Sequence, residues 1–379
     1  MRVDIQALRG LAVLLVLASH AKLGLPAGHL GVDIFFVISG WLITGMVHRA
    51  IERGDFSFRA FYWRRAKRLL PAAYVTFAVS ALAAPFLLTA AERADFKPLL
   101  HIWSLSVEEQ YYLLLPALLY FTTPRWRAAG AAAILVLSLT LCLITAPSKP
   151  AEAFFLLQYR LWELAIGSLG ALAFDRASSP VLQGAVRLLF WPALLALLAI
   201  PAHPFGDRQA PGIDALIVCI ATLIVILRRH GGLATSLPVR GLARVGDFSY
   251  SLYLVHWPIF AFAHNAFLGT EIDLPLRLAG AALAIALGYL LHRLVERPLR
   301  AADIVPSRRV LAATLAASAG VLVLPHVLFA LSGNTPDYAH LRRINYGLSA
   351  ACETDGPFTV RSACRTGPAR SEEHTSELQ

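Results

Sequence analysis

The chain has 379 residues, of which 57% are hydrophobic and only 15% are charged, against a usual charged share of about 25%. This balance, with a mean hydropathy of +0.60, excludes a disordered chain, which needs low hydrophobicity and high charge. The formal net charge of +10 does not indicate a nucleic-acid partner, because the 34 lysines and arginines are spread between apolar runs and form no single patch. The composition predicts an all-α polytopic membrane protein.

The last ten residues, 370–379, differ from everything before them. They read RSEEHTSELQ, which is acidic and polar and matches the in-frame translation of a common sequencing-library adapter. We expect this segment to be a read-through artefact, with a natural polar tail as the alternative. Without its one arginine and three glutamates, the formal net charge changes from +10 to +12.

Eleven apolar stretches are candidates for membrane spans, since a helix needs about 20 mostly apolar residues to cross a bilayer. The seventh and eighth are short. We expect a bundle of about ten helices plus an eleventh span, with stretches near 5–25, 29–48, 70–90, 102–121, 128–146, 153–174, 187–201, 213–227, 248–268, 274–294 and 310–331.

Basic residues in the loops predict the orientation, because lysine and arginine concentrate on the cytoplasmic side. With the N-terminus inside, the inner loops hold 20 of them and the outer loops hold 6. We therefore expect a cytoplasmic N-terminus and an outer segment 332–369. In that segment Cys352 and Cys364 could pair in an oxidising compartment or remain free thiols. The four cysteines form no C-x-x-C pair, so no metal site is predicted.

Placing an ionisable residue within a membrane span costs free energy, so each such residue is a candidate for a structural or functional role. Arg9 and His20 are eleven residues apart, or about three helical turns, and therefore share one face of the first span about 16 Å apart along its axis. His20 would lie toward the outer end, as an interfacial or a functional residue. Asp33 begins the second span at a similar depth. It could orient a histidine, or it could be a helix N-terminal acid favoured by the macrodipole.

Other polar residues in the spans allow two interpretations each. Ser106 and Glu109 fit a capping box, which leaves Glu108 unexplained. Arg160 and Glu163 form an i, i+3 pair that suits an internal ion pair or a catalytic role. The remaining cases are Tyr253 and His256, an i, i+3 pair before a kinking Pro258, and Glu296, a candidate interfacial anchor.

The basic segment FRAFYWRRAKRLLP has a topological and a functional interpretation. It could simply mark the cytoplasmic side and contact anionic lipids. Alternatively, Arg65 and Arg68 are three residues apart, so their guanidinium groups could converge on one phosphate. The aromatic residues before them could then stack on a nucleotide base; these are Phe61, Tyr62 and Trp63.

Six motifs together resemble the acyltransferase 3 family, whose members are membrane-bound acyltransferases that modify cell-surface glycans. They occur in order over about residues 1–300, and Arg9 and His20 match the Arg-x10-His motif of the family. The motifs are DIQALRGLAVLLVLASH, GHLGVDIFFVISGWLI, FYWRRAKRLLPA, HIWSLSVEEQYYLLLP, YRLWELAIG and SYSLYLVHWP.

The resemblance implies transfer of an acyl group, usually acetyl, from cytoplasmic acyl-CoA to a carbohydrate, with acyl-CoA as co-substrate and no tightly bound cofactor. His20 would be the catalytic base or acyl carrier, assisted by Asp33. Glu108 and Glu109 match the S-x-E-E-Q element of the family and are further catalytic candidates. The residues that would bind the CoA phosphates are Arg9, Arg65 and Arg68.

The resemblance also implies domain boundaries and a cellular location for the chain. Residues 1–300 would be the acyltransferase domain in a bacterial inner membrane, and 301–331 a linker with the eleventh span. Residues 332–369 would be a periplasmic linker leading to an SGNH domain that this chain lacks, so no SGNH esterase activity is expected. The acceptor would be a cell-surface glycan, with lipopolysaccharide, peptidoglycan, exopolysaccharide and a secreted glycoside all open. The fused type of tail favours lipopolysaccharide O-antigen or exopolysaccharide.

One departure from the family bears on activity. The sequence LLTAAERADF runs straight into KPLLHIWS, where family members have a longer segment. An inactive fragment is therefore one alternative. A transporter or flippase for a glycan intermediate is another, although no inverted repeat is visible in the sequence.

Overall fold

The computed structural model describes residues 2–88, 97–174, 179–205, 211–266, 272–302, 304–305 and 307–331. The outer segment with Cys352 and Cys364, the segment 370–379 and the site of the expected deletion after residue 88 lie outside these residues. Within the described residues the regular structure is entirely helical, and no strand is present. The expected all-α class is confirmed.

Twelve helices of eleven or more residues make up most of the described chain. They are α1 (Val3–His20), α2 (Gly31–Arg53), α3 (Phe58–Leu87), α4 (Trp103–Phe121), α5 (Pro124–Thr145), α6 (Leu157–Leu169), α7 (Pro180–Ala199), α8 (Ile213–Arg228), α9 (Leu237–Asp247), α10 (Ser249–Ala266), α11 (Leu274–Leu291) and α12 (Arg308–Leu331). Shorter helical segments are Gly28–Leu30, Lys97–Ile102, Pro150–Phe155, Gly170–Phe174, Gly231–Ala234, His292–Glu296 and Arg297–Ala301.

Each of the eleven expected spans coincides with a helix, and the chain is a multi-pass membrane protein. Among the described residues, seven helical stretches are long and apolar enough to cross a bilayer by themselves; these are Val3–His20, Gly28–Arg53, Phe58–Leu87, Pro124–Thr145, Pro180–Ala199, Leu274–Ala301 and Arg308–Leu328. The third span differs from its expected start near residue 70. Helix α3 begins at Phe58, where the Ser57 side chain accepts a hydrogen bond from the Ala60 amide.

Glycines let the central helices approach until their backbones touch. A Cβ atom on Gly40 of α2 would lie 2.0 Å from the Leu164 carbonyl oxygen, and one on Gly167, just beyond Leu164 on α6, would lie 2.1 Å from that of Val37. Helices α1 and α9 show the same reciprocal contact at Gly10 and Gly246. Small residues are the usual means of close helix packing in a bilayer.

Two local expectations about helix ends are wrong. Helix α4 begins at Trp103, so Ser106 lies inside the first turn and accepts from Gln110 Nε2 at 3.2 Å rather than capping the helix. Glu296 is not an interfacial residue, because it is only 2% exposed. It lies in the wide π-helical turn His292–Glu296, where it accepts from Ser251 Oγ at 2.7 Å.

Candidate active site

A cavity opens between α1, α2, α3, α4 and α10. Its polar lining includes Arg9 from α1, two arginines from α3, two glutamates from α4 and tyrosines from α4 and α10. It extends about 6 Å along α4 from Glu108 to Ser104, one turn earlier. The lining therefore extends from the basic segment of α3 to Ser104 in the first turn of α4.

The three arginines expected to bind one anion do meet at this cavity. Arg9, Arg65 and Arg68 all line it. The guanidinium carbon of Arg65 lies 3.8 Å from the Tyr112 ring centroid, in a cation–π contact. The Nε atoms of Arg65 and Arg68 are buried and have no hydrogen-bond partner among the described residues. Each guanidinium therefore has a donor that could bind a ligand.

The two glutamates of the S-x-E-E-Q element line the same cavity but have different surroundings. Glu108 accepts from Ser39 Oγ at 3.0 Å and from the Tyr112 hydroxyl at 2.7 Å, which fixes its carboxylate. Glu109 has an exposed side chain that lines the cavity. Together they offset part of the arginine charge and give the cavity hydrogen-bond acceptors beside its donors.

His20 lies at the far end of α1 from Arg9 and is partly buried. Its Nδ1 atom is 3.0 Å from His256 Nε2, and the two ring planes are within 18° of parallel, with centroids 5.2 Å apart. The edge of Trp257 packs on the same ring at 4.6 Å. His101, which is 3% exposed, completes the cluster beside His256 and Trp257.

Tyr253 connects the cavity to the histidine cluster. Its side chain lines the cavity, and its hydroxyl is 2.7 Å from Ser104 Oγ and donates to the His101 carbonyl oxygen at 2.9 Å. Its ring centroid is 5.2 Å from that of His256. Tyr253 therefore contacts both the cavity and the histidine cluster.

The expectation that Asp33 orients His20 by direct contact is wrong. Asp33 Oδ1 instead lies 3.2 Å from Arg160 Nη2, and Arg160 Nη1 lies 2.8 Å from Glu163 Oε1, with all three side chains at most 2% exposed. The local reason is packing, because α6 crosses α2 at the close glycine contact and brings Arg160 to Asp33. The predicted internal ion pair of Arg160 and Glu163 is confirmed, and any other role of Asp33 in catalysis stays a prediction.

The aromatic residues of the basic segment are engaged within the protein rather than facing the cavity. Phe61 is buried, Tyr62 donates to the Leu113 carbonyl oxygen at 2.9 Å, and Trp63 Nε1 donates to that of Ile304 at 2.7 Å. Their expected stacking on a nucleotide base therefore has no support in the geometry.

Sequence reasoning missed the roles of Ser39, Tyr112, His101 and His256. Only His256 carried a hint, through its i, i+3 spacing from Tyr253 before Pro258. The other three lie in apolar helical surroundings where the residue type alone does not indicate which side chain faces a cavity.

An all-helical membrane bundle that joins a basic cavity to a buried histidine cluster suits transfer of a group from an anionic donor. An acyltransferase domain model matches residues 2–293, and the chain belongs to the acyltransferase 3 family. No solved structure matches it.

Two relatives from Staphylococcus aureus illustrate the similarity. A protein of strain COL named "Putative O-acetyltransferase" is 28% identical over 344 residues, covering 78% of this chain and 57% of the relative. The O-acetyltransferase OatA of strain NCTC 8325 / PS 47 is 26% identical over 343 residues with the same coverage. The chain thus spans just over half the length of these relatives. The alignment is 344 positions long but covers only 78% of the 379 residues of this chain, which is about 296 residues. The relatives therefore also have residues within the aligned region that this chain lacks.

Proposed function

We propose that this chain is a membrane-bound O-acyltransferase that moves an acyl group, usually acetyl, from cytoplasmic acyl-CoA to a hydroxyl of a cell-surface glycan. The observation that carries the proposal is the cavity itself. Three arginines from two helices converge in it, and it reaches Tyr253, which packs on the histidine cluster. A phosphate-rich donor suits the arginines, and a long thioester arm suits the distance to His20.

His20 would act as the general base in one direct step. Its ring takes the proton from the acceptor hydroxyl while the oxygen attacks the thioester carbonyl. The carbon–sulfur bond then breaks, and the departing thiolate receives the proton from the imidazolium, which yields the ester and CoA thiol. In the alternative, His20 attacks first and carries the acyl group transiently to the acceptor.

Arg9, Arg65 and Arg68 would hold the donor phosphates through charge-assisted hydrogen bonds. Because Arg9 and His20 are at opposite ends of α1, donor binding and acyl transfer would be about 16 Å apart along that helix. We place the arginine end at the cytoplasmic face and the His20 end toward the periplasm of a bacterial inner membrane. Lipopolysaccharide O-antigen and exopolysaccharide are the acceptors we propose.

The test uses membranes with radiolabelled acetyl-CoA and each candidate glycan, and compares the wild type with His20→Ala. We expect label transfer to be lost while acetyl-CoA binding is retained. The matched control is His264→Ala, an exposed histidine of α10, which should transfer label like the wild type. Label transfer that survives His20→Ala would refute the role of His20, and absent acetyl-CoA binding by the wild type would refute the donor.

A further inference from the structure

His256 has a defined protonation pattern because of two backbone carbonyl groups. Its Nδ1 atom lies 2.6 Å from the carbonyl oxygen of Tyr253 and 3.3 Å from that of Leu252. A carbonyl oxygen can only accept a hydrogen bond, so Nδ1 carries the proton and donates it. In the neutral ring, Nε2 of His256 then carries the lone pair.

That lone pair faces His20. The Nε2 atom of His256 is 3.0 Å from Nδ1 of His20. Since His256 Nε2 has no proton, the hydrogen of this bond belongs to His20 Nδ1. The lone pair of the His20 ring is therefore on its Nε2 atom.

We propose that His256 is a positioning residue that holds His20 in the tautomer with a proton on Nδ1 and a lone pair on Nε2. This is the task that the sequence assigned to Asp33, which is instead paired with Arg160. Burial supports the division of tasks, because His256 is fully buried and His20 is partly exposed. The hydrogen bond to His256 and the perpendicular packing of the Trp257 ring also fix the plane of the His20 ring.

The tautomer follows from geometry alone, whereas the reactivity of Nε2 rests on the proposed acyl transfer. In that reaction Nε2 is the atom that receives the hydroxyl proton or the acyl group. The Nδ1 proton stays in its hydrogen bond to His256, so the ring cannot present the wrong nitrogen. Partners that fix the tautomer of a metal-binding imidazole contribute about 10- to 100-fold to metal affinity or activity, and we expect an effect of at least that order here.

The direct test is nitrogen NMR of the full chain, labelled with ¹⁵N-histidine and held in lipid nanodiscs. The His20 resonances are assigned by their absence in His20→Ala. We expect the wild type to show a protonated Nδ1 and a bare Nε2 on His20. His256→Phe keeps the ring but removes the acceptor, so His20 should shift toward the tautomer with its proton on Nε2. His256→Gln restores an acceptor oxygen and should retain the wild-type tautomer.

The matched control is His264→Phe, the same change at an exposed position of the same helix, which should leave the His20 tautomer unchanged. A wild-type His20 with its proton on Nε2 overturns the proposal even if no variant folds. An unchanged tautomer in folded His256→Phe does so as well.

Kinetics separate this proposal from the proposed function. In His256→Phe we expect kcat for acetyl transfer to fall about 10- to 100-fold with KM for acetyl-CoA unchanged, and His256→Gln to recover part of kcat. A rise in KM for acetyl-CoA together with a fall in kcat in both variants would contradict a positioning role, because it would indicate a damaged donor site. If the wild type transfers no acetyl group, the proposed function fails, and the NMR result still decides the tautomer.

Discussion

Arg65 and Arg68 line the cavity, whereas Lys67 between them donates from Nζ to the Ala302 carbonyl oxygen at 2.8 Å. A single basic segment therefore places some side chains in the cavity and another against the backbone that follows α11. The distinction follows from helical geometry, since residues three apart share a face and the residue between them points elsewhere. The charge of the segment was visible in the sequence, but the partner of each side chain depends on the packing of α3 against α4 and the residues after α11.

The two arginines give the first prediction. Arg65→Ala combined with Arg68→Ala should weaken acetyl-CoA binding about 100-fold or more, because each charged hydrogen bond contributes about 1.5–3 kcal/mol. Calorimetry with acetyl-CoA measures the loss. Lys67→Ala removes one positive charge from the same helix and should bind within about threefold of the wild type, a change of under 1 kcal/mol. Equal weakening by Lys67→Ala would mean that general charge, rather than the cavity, binds the donor.

The buried ion cluster gives a second prediction. Arg160→Met leaves the carboxylates of Asp33 and Glu163 buried without their cation, which should lower the free energy of unfolding by about 3–5 kcal/mol. Adding Asp33→Asn and Glu163→Gln to the same chain removes both stranded charges and should restore most of that stability. Thermal unfolding in detergent compares the three proteins. A triple variant as unstable as Arg160→Met alone would show that packing, not charge, causes the loss.

The sequence identifies candidate site residues more readily than it predicts the contacts that these residues make. Arg9 and His20 share a helix, so their relation follows from a fixed rise per residue. The partner of His20 comes from α10, 236 positions away. Asp33 and His256 are equally plausible partners until the packing of α6 against α2 commits Asp33 to Arg160.

At the level of helices, hydropathy predicted well which segments form membrane-spanning helices. It predicted less well the residues at which those helices begin and end. The apolar stretches stand out because a span must bury a long run of nonpolar residues in lipid. The basic first half of α3 is continuous with its apolar second half. Because this first half is charged, a hydropathy criterion did not include it in the predicted span. Cap geometry was similarly hidden, since Ser106 has the right spacing for a capping box but lies one turn inside α4.

The glycine contact between α2 and α6 gives a third prediction. Gly40→Ala and Gly167→Ala each place a Cβ atom about 2 Å from a backbone oxygen, which a side-chain rotation cannot relieve. The helices must separate, so we expect each change to destabilise the protein by about 1–3 kcal/mol and to reduce the yield of folded protein. Fluorescence-detected gel filtration of heated samples gives the midpoint of unfolding.

Gly130→Ala is the control for this contact, because a Cβ atom there would meet no other atom within 4 Å. Alanine is also the better helix former by about 1 kcal/mol. The control should therefore be as stable as the wild type or slightly more so. If Gly40→Ala behaves like Gly130→Ala, α2 and α6 do not touch in the way the structure describes.

For the whole molecule, contacts between distant loops agree with the sidedness predicted from loop charge. Arg277 Nη1 donates to the Lys22 carbonyl oxygen at 3.0 Å, and both residues were expected outside. Arg127 Nη1 donates to His48 Nδ1 at 3.0 Å, at the ends of helices expected to meet inside. These contacts fix which loops share a face, and so they support the parity of the eleven spans. Which face is cytoplasmic rests on the excess of basic residues alone.

Labelling of introduced cysteines from one side of the membrane tests which face of the bundle is cytoplasmic. The cysteines of the described residues, Cys142 and Cys219, are at most 1% exposed, so a chain with Cys352→Ser and Cys364→Ser should react little with a membrane-impermeant maleimide. Lys149→Cys, at an exposed loop expected outside, should then be labelled in intact spheroplasts. Arg64→Cys, at an exposed position expected inside, should be labelled only after the membrane is permeabilised. The reverse pattern would invert the whole bundle and place the arginine cavity toward the periplasm, where acyl-CoA made in the cytoplasm could not reach it.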